Sequence, residues 1–214
     1  MQKCVIIGAS PSYSIGLLQK AACSAGLIIC ADGGYQAAIA AGLTPQVWVG
    51  DGDSAGSVTP APNVHNIRLR AEKDETDMQA ALDYGLAQGF RQFVLTGCTG
   101  GRLDHFLANI GLLERLHDIG AQGEIWDAQN ILFLHPGGRA VIPKPSDFMY
   151  ISVIPLDMSV SGVTLTGLRY PLRNALVRRT ESLAVSNEFI ADSAEVEIAQ
   201  GRALIILSRD FSPQ

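Results

Sequence analysis

The sequence predicts an α/β domain followed by an all-β domain, and three observations lead there. Over residues 1–127, short apolar runs alternate with stretches of helical spacing. After about residue 128 the helical spacing stops and strand-like runs follow one another. Of the 214 residues, 47% are hydrophobic and 17% charged, enough apolar material for a core without metal or disulfide staples.

The apolar runs come first. CVIIGA (4–9), LIICA (27–31), VWVG (47–50), FVLTG (93–97) and EIWDA (124–128) each end on small or acidic residues, as buried strands do. TDMQAALDYGLAQG (76–89) and DHFLANIGLLERLHDIG (104–120) carry helical spacing and polar starts. Strands alternating with helices imply a mostly parallel sheet with helices on both faces. After about residue 128, LFLHPGGRAVIPKP, FMYISVIPL, VSGVTLTGLRYPL, SLAVSNEF and AEVEIAQGRALIILS read as strands joined by turns, and the all-β domain is expected over residues 135–214. Within the last of these, QGR reads as a tight hairpin turn.

Ligands of open α/β sheets bind beyond the carboxyl ends of the strands. Six of the 21 acidic residues collect at that predicted edge, and all six are aspartates. Asp32 lies in ADGG, Asp51 and Asp53 in GDGDS, Asp74 and Asp77 in KDETD, and Asp104 in GCTGGRLDH. Each has a local use, as a turn former or in the first turn of a helix, and Thr76 suits the N-cap before Asp77. Capping does not explain why they converge, because crowded carboxylates repel unless a cation neutralises them. In an extended GDGD segment Asp51 and Asp53 point to one side, which suits hard Mg²⁺. Phosphate cradles accompany the acids. GCTGGR offers the N–H groups of Gly100 and Gly101 with the Arg102 fork, Gly33 and Gly34 allow close approach, and Lys73 adds a point charge. Acids for metal beside glycines and bases for phosphate indicate metal–nucleotide chemistry.

Other classes fit poorly. The net charge of −5 opposes a nucleic-acid partner. No run reaches the ~20 apolar residues that span a bilayer, and MQKCVIIGAS is not a secretory signal, so no membrane association and a cytoplasmic location are expected. GxxxxGK[ST], GxGxxG after the first strand, GxSxG around Ser54 and zinc spacing of the four histidines are all missing. His105, beside Asp104, either starts a helix or lines the site. The cysteines (Cys4, Cys23, Cys30 and Cys98) form no CxxC pair and are expected to be buried free thiols.

ADGG, GDGDS, KDETD and GCTGGRLDH, in this order and spacing, resemble thiamine pyrophosphokinase, as do TLTGLRYPL and SLAVSNEF in the second part. The resemblance implies a Rossmann-like catalytic domain, then a β-sandwich that binds thiamine, in a homodimer. The implied reaction moves pyrophosphate from ATP to the hydroxyl of thiamine. It also implies that Asp51, Asp53 and Asp77 hold Mg²⁺ and that Asp32, Gly33, Lys73, Thr76, Arg102 and Asp104 surround the nucleotide. Thr164, Tyr170, Ser186 and Asn187 are implied to contact thiamine, with Tyr170 where some members carry tryptophan. Asp53, Asp77, Arg102 and Asp104 are the expected catalytic set, Asp104 as candidate base. Two other readings are a pyrophosphokinase for another heterocyclic alcohol, such as a pterin, and a nucleotide or thiamine sensor without turnover.

Overall fold

The computed structural model describes residues 2–11, 13–51, 59–69 and 74–210. The expected residues Asp53 and Lys73 lie outside the described residues. The chain divides into two compact units, Met1–Ala128 and Gln129–Gln214, and has a mixed α/β fold.

The first unit contains strands β1 (Lys3–Ile7), β2 (Ala25–Ala31), β3 (Val47–Gly50), β4 (His65–Arg68), β5 (Gln92–Thr96) and β6 (Gln122–Trp126). Its helices are α1 (Ile15–Ala22), α2 (Gly34–Ala40), α3 (Asp77–Ala87) and α4 (Leu103–Asp118). The strands pair in parallel in the order β6-β5-β1-β2-β3-β4. Val5, Ile7, Ile28, Cys30, Trp48 and Val94 cluster with Leu18 and Ala21 of α1 and with Tyr35 and Ala38 of α2. α3 packs on β1, β2 and β3, and α4 on β6. Helices α1 and α2 touch each other, as do α3 and α4. Strands buried on both faces explain the continuous apolar runs of β1, β2, β3 and β5. β4 has no such run: His65, Asn66 and Arg68 are exposed, because an edge strand takes its backbone bonds from β3 and needs little core of its own.

The second unit is all strand: β7 (Asn130–His135), β8 (Gly138–Pro143), β9 (Tyr150–Pro155), β10 (Ser159–Thr166), β11 (Leu172–Arg178), β12 (Asn187–Glu188), β13 (Ser193–Ile198) and β14 (Ala203–Ser208). These pair antiparallel in two sets, β12-β9-β14-β7 and β11-β10-β13-β8. Both sets supply one buried cluster, including Ile151, Val153, Ile205, Val163, Leu165 and Val196.

Two expectations are corrected. QGR is not a hairpin turn, since β13 pairs with β10 and β8 whereas β14 pairs with β9 and β7. The chain turns there from one sheet into the other, with Gly201 at φ 92°. The strands' own patterns differ accordingly: β13 alternates, while β14 is nearly continuously buried between two neighbours. The thiols also differ from expectation. Cys4 and Cys30 are buried, but Cys23 closes α1 at the surface. Among the described residues no helix is long and apolar enough to cross a membrane.

Candidate functional site

From β1 the sheet grows in one direction through β2, β3 and β4, and in the other through β5 and β6. Connections therefore diverge where β1 meets β5, which opens a crevice at their carboxyl ends. The two backbones meet closely there. A Cβ on Gly8 would lie 2.6 Å from the Gly97 carbonyl oxygen, and one on Gly97 would lie 2.5 Å from that of Gly8. Only glycine fits either position, and Gly97 also has φ 63°.

A cavity of about 330 Å³ lies at this point. Gly8 and Ala9 line it from the end of β1, and Ala31 and Asp32 from the end of β2. Glu75, Thr76, Asp77 and Met78 line it from the start of α3, and His105 and Asn109 from α4. Of the expected residues, Asp32, Thr76 and Asp77 are thus brought together.

Asp32 stands at φ 49°, in the left-handed region, which costs a non-glycine residue of order 1 kcal/mol or more. Neighbours hold it there. Its N–H donates to the Val49 carbonyl at 2.8 Å, and its own carbonyl accepts from Trp48 Nε1 at 3.0 Å. Thr76 is extended and caps α3, its hydroxyl accepting the Gln79 N–H at 3.2 Å. Asp77 then falls in the first turn, where the positive end of the helix dipole favours its charge.

The remaining expected residues divide into several groups. Asp51 is half-buried just past β3, and a Cβ on the preceding Gly50 would lie 3.4 Å from the Asp32 Cα. Asp74 is exposed. Gly33 caps α2, and Gly34 serves packing, since a Cβ there would lie 2.0 Å from the Ile7 carbonyl oxygen. Gly100 and Gly101 lie in the loop after β5, Gly100 at φ 75°. Arg102 and Asp104 form a two-pronged pair, Nε to Oδ1 at 3.1 Å and a terminal nitrogen to Oδ2 at 2.5 Å. The guanidinium holds the Asp104 carboxyl down to about 2. Arg102 occupies the N-cap of α4, and Asp104 falls in its first turn as the sequence suggests.

In the second unit, Asn187 is buried and grips Tyr170 reciprocally. Its Oδ1 accepts the Tyr170 N–H at 2.9 Å and its Nδ2 donates to the Tyr170 carbonyl at 2.7 Å. This leaves the Tyr170 side chain 60% exposed. The neighbouring Ser186 stands at φ 55° and donates its N–H to Ser152 Oγ at 2.9 Å. Thr164 lies on β10, where its hydroxyl accepts the Asn174 N–H at 3.2 Å.

Sequence reasoning missed Gly8, Ala9, Ala31, Glu75, Met78 and Asn109. A signal existed for Gly8 and Ala9, because the end of the first strand of an α/β sheet adjoins the crevice. Another existed for Asn109, an amide within the buried stripe of Leu112, Leu113 and Leu116.

Fold and crevice define a class: an α/β protein with a cavity at a switch point bordered by carboxylates. Comparisons with known proteins are more specific. Residues 18–122 match the family model "Thiamin pyrophosphokinase, catalytic domain", and residues 139–203 match "Thiamin pyrophosphokinase, vitamin B1 binding domain". The thiamine pyrophosphokinase of Bacillus subtilis is 35% identical over 190 residues, covering 86% of this chain and 88% of that one. A crystal structure of the Bacillus subtilis protein superimposes with a TM-score of 0.89 at 31% identity, over 98% of this chain and 100% of that one. The structure from Geobacillus thermodenitrificans gives 0.85 at 32% identity, over 99% of both chains. The chain belongs to the thiamine pyrophosphokinase family.

Proposed function

We propose that this chain transfers pyrophosphate from ATP to the hydroxyl of thiamine, giving thiamine diphosphate and AMP. The observation that carries this reading is the cavity at the β1–β5 switch point, where Asp32, Thr76 and Asp77 converge within the catalytic-domain match. The vitamin B1 binding match over residues 139–203 favours thiamine over a pterin alcohol as acceptor. On this reading residues 1–127 form the Rossmann-like nucleotide domain and residues 135–214 the β-sandwich thiamine domain. The protein acts as a homodimer, a reading that rests on the family resemblance, and its expected place is the cytoplasm.

The donor chemistry fits Mg²⁺. Asp77 and Asp32 border the cavity and Asp51 ends the adjacent strand, so the available ligands are hard oxygens. Among the described residues no three potential ligands cluster as a metal site, and Asp53, which the reading adds to Asp51 and Asp77, lies outside them. Bound Mg²⁺ supplies neutralisation of phosphate charge. The chain's own residues bind and orient. N–H groups of Gly100 and Gly101 and the Arg102 fork hold phosphate oxygens, joined by Gly33 and Gly34, which follow β2 in the sequence, and by Lys73 and Asp74, which precede α3. Tyr170 offers an aromatic face to thiamine beside Ser186, Asn187 and Thr164. The hydroxyl attacks the β-phosphorus in line and AMP leaves, so positioning carries most of the rate. Asp104 is a weak base while Arg102 holds it. When Arg102 turns to phosphate, Asp104 loses its strongest depressing partner and its basicity rises, although the His105 N–H still bonds it, and it is then better able to accept the hydroxyl proton.

The test is direct. Protein, Mg-ATP and thiamine are mixed, and thiamine diphosphate and AMP are sought by mass spectrometry. The expected result is equal amounts of both. Tight binding of either substrate without AMP would leave a sensor instead.

A further inference from the structure

We infer that Ser10 and Asn109 are positioning residues that aim the backbone N–H groups of the loop after β5 at the nucleotide's phosphates. This rests on the reading above, in which that loop receives phosphate. Each carbonyl at the start of the loop is held by a donor from elsewhere. The Ser10 N–H donates to the Gly97 carbonyl at 2.8 Å, and the Ser10 hydroxyl donates to the Thr99 carbonyl. Asn109 Nδ2 donates to the Cys98 carbonyl between them at 3.2 Å.

A trans peptide points its C=O and the next N–H in opposite directions. Fixing the Gly97 and Thr99 carbonyls on Ser10 therefore turns the N–H groups of Cys98 and Gly100 away from Ser10, toward a common side. Among the described residues no acceptor receives either N–H. Two parallel N–H groups two residues apart, with Gly97 and Gly100 at positive φ, form the kind of concavity that binds an anion. Asn109 fixes the peptide between them, and its own orientation is determined, because a carbonyl can accept only from the amide nitrogen.

Asn109 is otherwise hard to explain. It is 4% exposed on the apolar stripe of α4, where leucine occupies the other buried positions. Burying an amide costs free energy that leucine would not. The Cys98 bond gives the amide a purpose, and that purpose is the shape of the loop.

Isothermal titration of Mg-ATP and of adenosine, which lacks phosphate, separates a phosphate-aiming role from general support. Ser10→Ala removes the hydroxyl grip, and Asn109→Leu removes the amide while continuing the apolar stripe. Each should weaken ATP binding by roughly ten-fold, the factor that one lost hydrogen bond implies. Adenosine affinity and the KM for thiamine should not change. Ser10→Thr, which keeps a hydroxyl, should restore ATP binding. The inference is overturned if Ser10→Ala and Asn109→Leu both bind ATP as wild type does, or if ATP and adenosine weaken equally. Should Asn109→Leu fail to fold, the Ser10→Ala and Ser10→Thr pair decides alone. A wild-type protein that does not bind ATP overturns the nucleotide reading beneath it, an outcome distinct from the other two.

Discussion

Arg102 and Asp104 hold each other although their side chains are 74% and 62% exposed. The consequence is chemical more than energetic, since exposed pairs contribute little to stability. NMR titration should place the Asp104 midpoint near 2, and Arg102→Ala should move it up toward the ordinary carboxylate range, with the His105 N–H still holding it somewhat below. A depressed carboxylate stabilises the fold above its unfolded pKa of about 3.9 and loses that effect as pH falls through the folded value. The window therefore lies at acid pH, and stability near neutrality should not respond to this pair's titration. Tyr170 presents the other residue-scale contrast: its backbone is locked by Asn187 while its ring stays in solvent. Tyr170→Ala should raise the KM for thiamine by roughly three-fold to thirty-fold, the span of one cation–π contact, and leave the ATP KM and the melting temperature alone. A lowered melting temperature with unchanged thiamine KM would make Tyr170 a packing residue. Asp32, Thr76 and Asp77 were legible in the sequence because strand ends and helix starts of an α/β sheet share the edge where ligands bind, even where the same residues also form a turn or a cap. Asn109 was only faintly so, because an amide in a leucine stripe marks the position but not its use, and its partner, Cys98, is brought near only by the fold.

Among the elements, α3 places two of the three expected cavity residues, and its start depends on one hydroxyl. Thr76→Ala should destabilise the protein by about 1 kcal/mol in denaturant titration, and Thr76→Ser should restore most of it. Equal stability of all three would show that the Thr76–Gln79 bond does not set the helix start. Helices α3 and α4 and the central strands were readable from apolar period alone. Helices α1 and α2 offered less, being 8 and 7 residues long and rich in alanine and glycine. Period says which residues face a core but not which strand is the neighbour. That is why β13 and β14, adjacent in sequence and each a good strand, were misread as a hairpin.

Across the whole molecule the four thiols report on their packing, with Cys4 and Cys30 buried, Cys98 half-buried in the loop after β5 and Cys23 exposed. Burial pushes Cys4 and Cys98 up to about 12 and raises Cys30 further, whereas Cys23 is at the surface. Only thiolate attacks a disulfide reagent. Native protein should therefore release about one equivalent of thionitrobenzoate quickly, and denatured protein all four. Rapid release of four from native protein would contradict the packing of both helix layers. The chain holds two tryptophans, and one of them, Trp48, is buried with its indole N–H on the Asp32 carbonyl. Indole emission follows the local field and the loss or gain of such a bond. The protein thus carries a native optical reporter wired to the rim of its crevice. With Trp126 replaced by phenylalanine, the colour and brightness of Trp48 would record nucleotide arrival in real time, without dye or label.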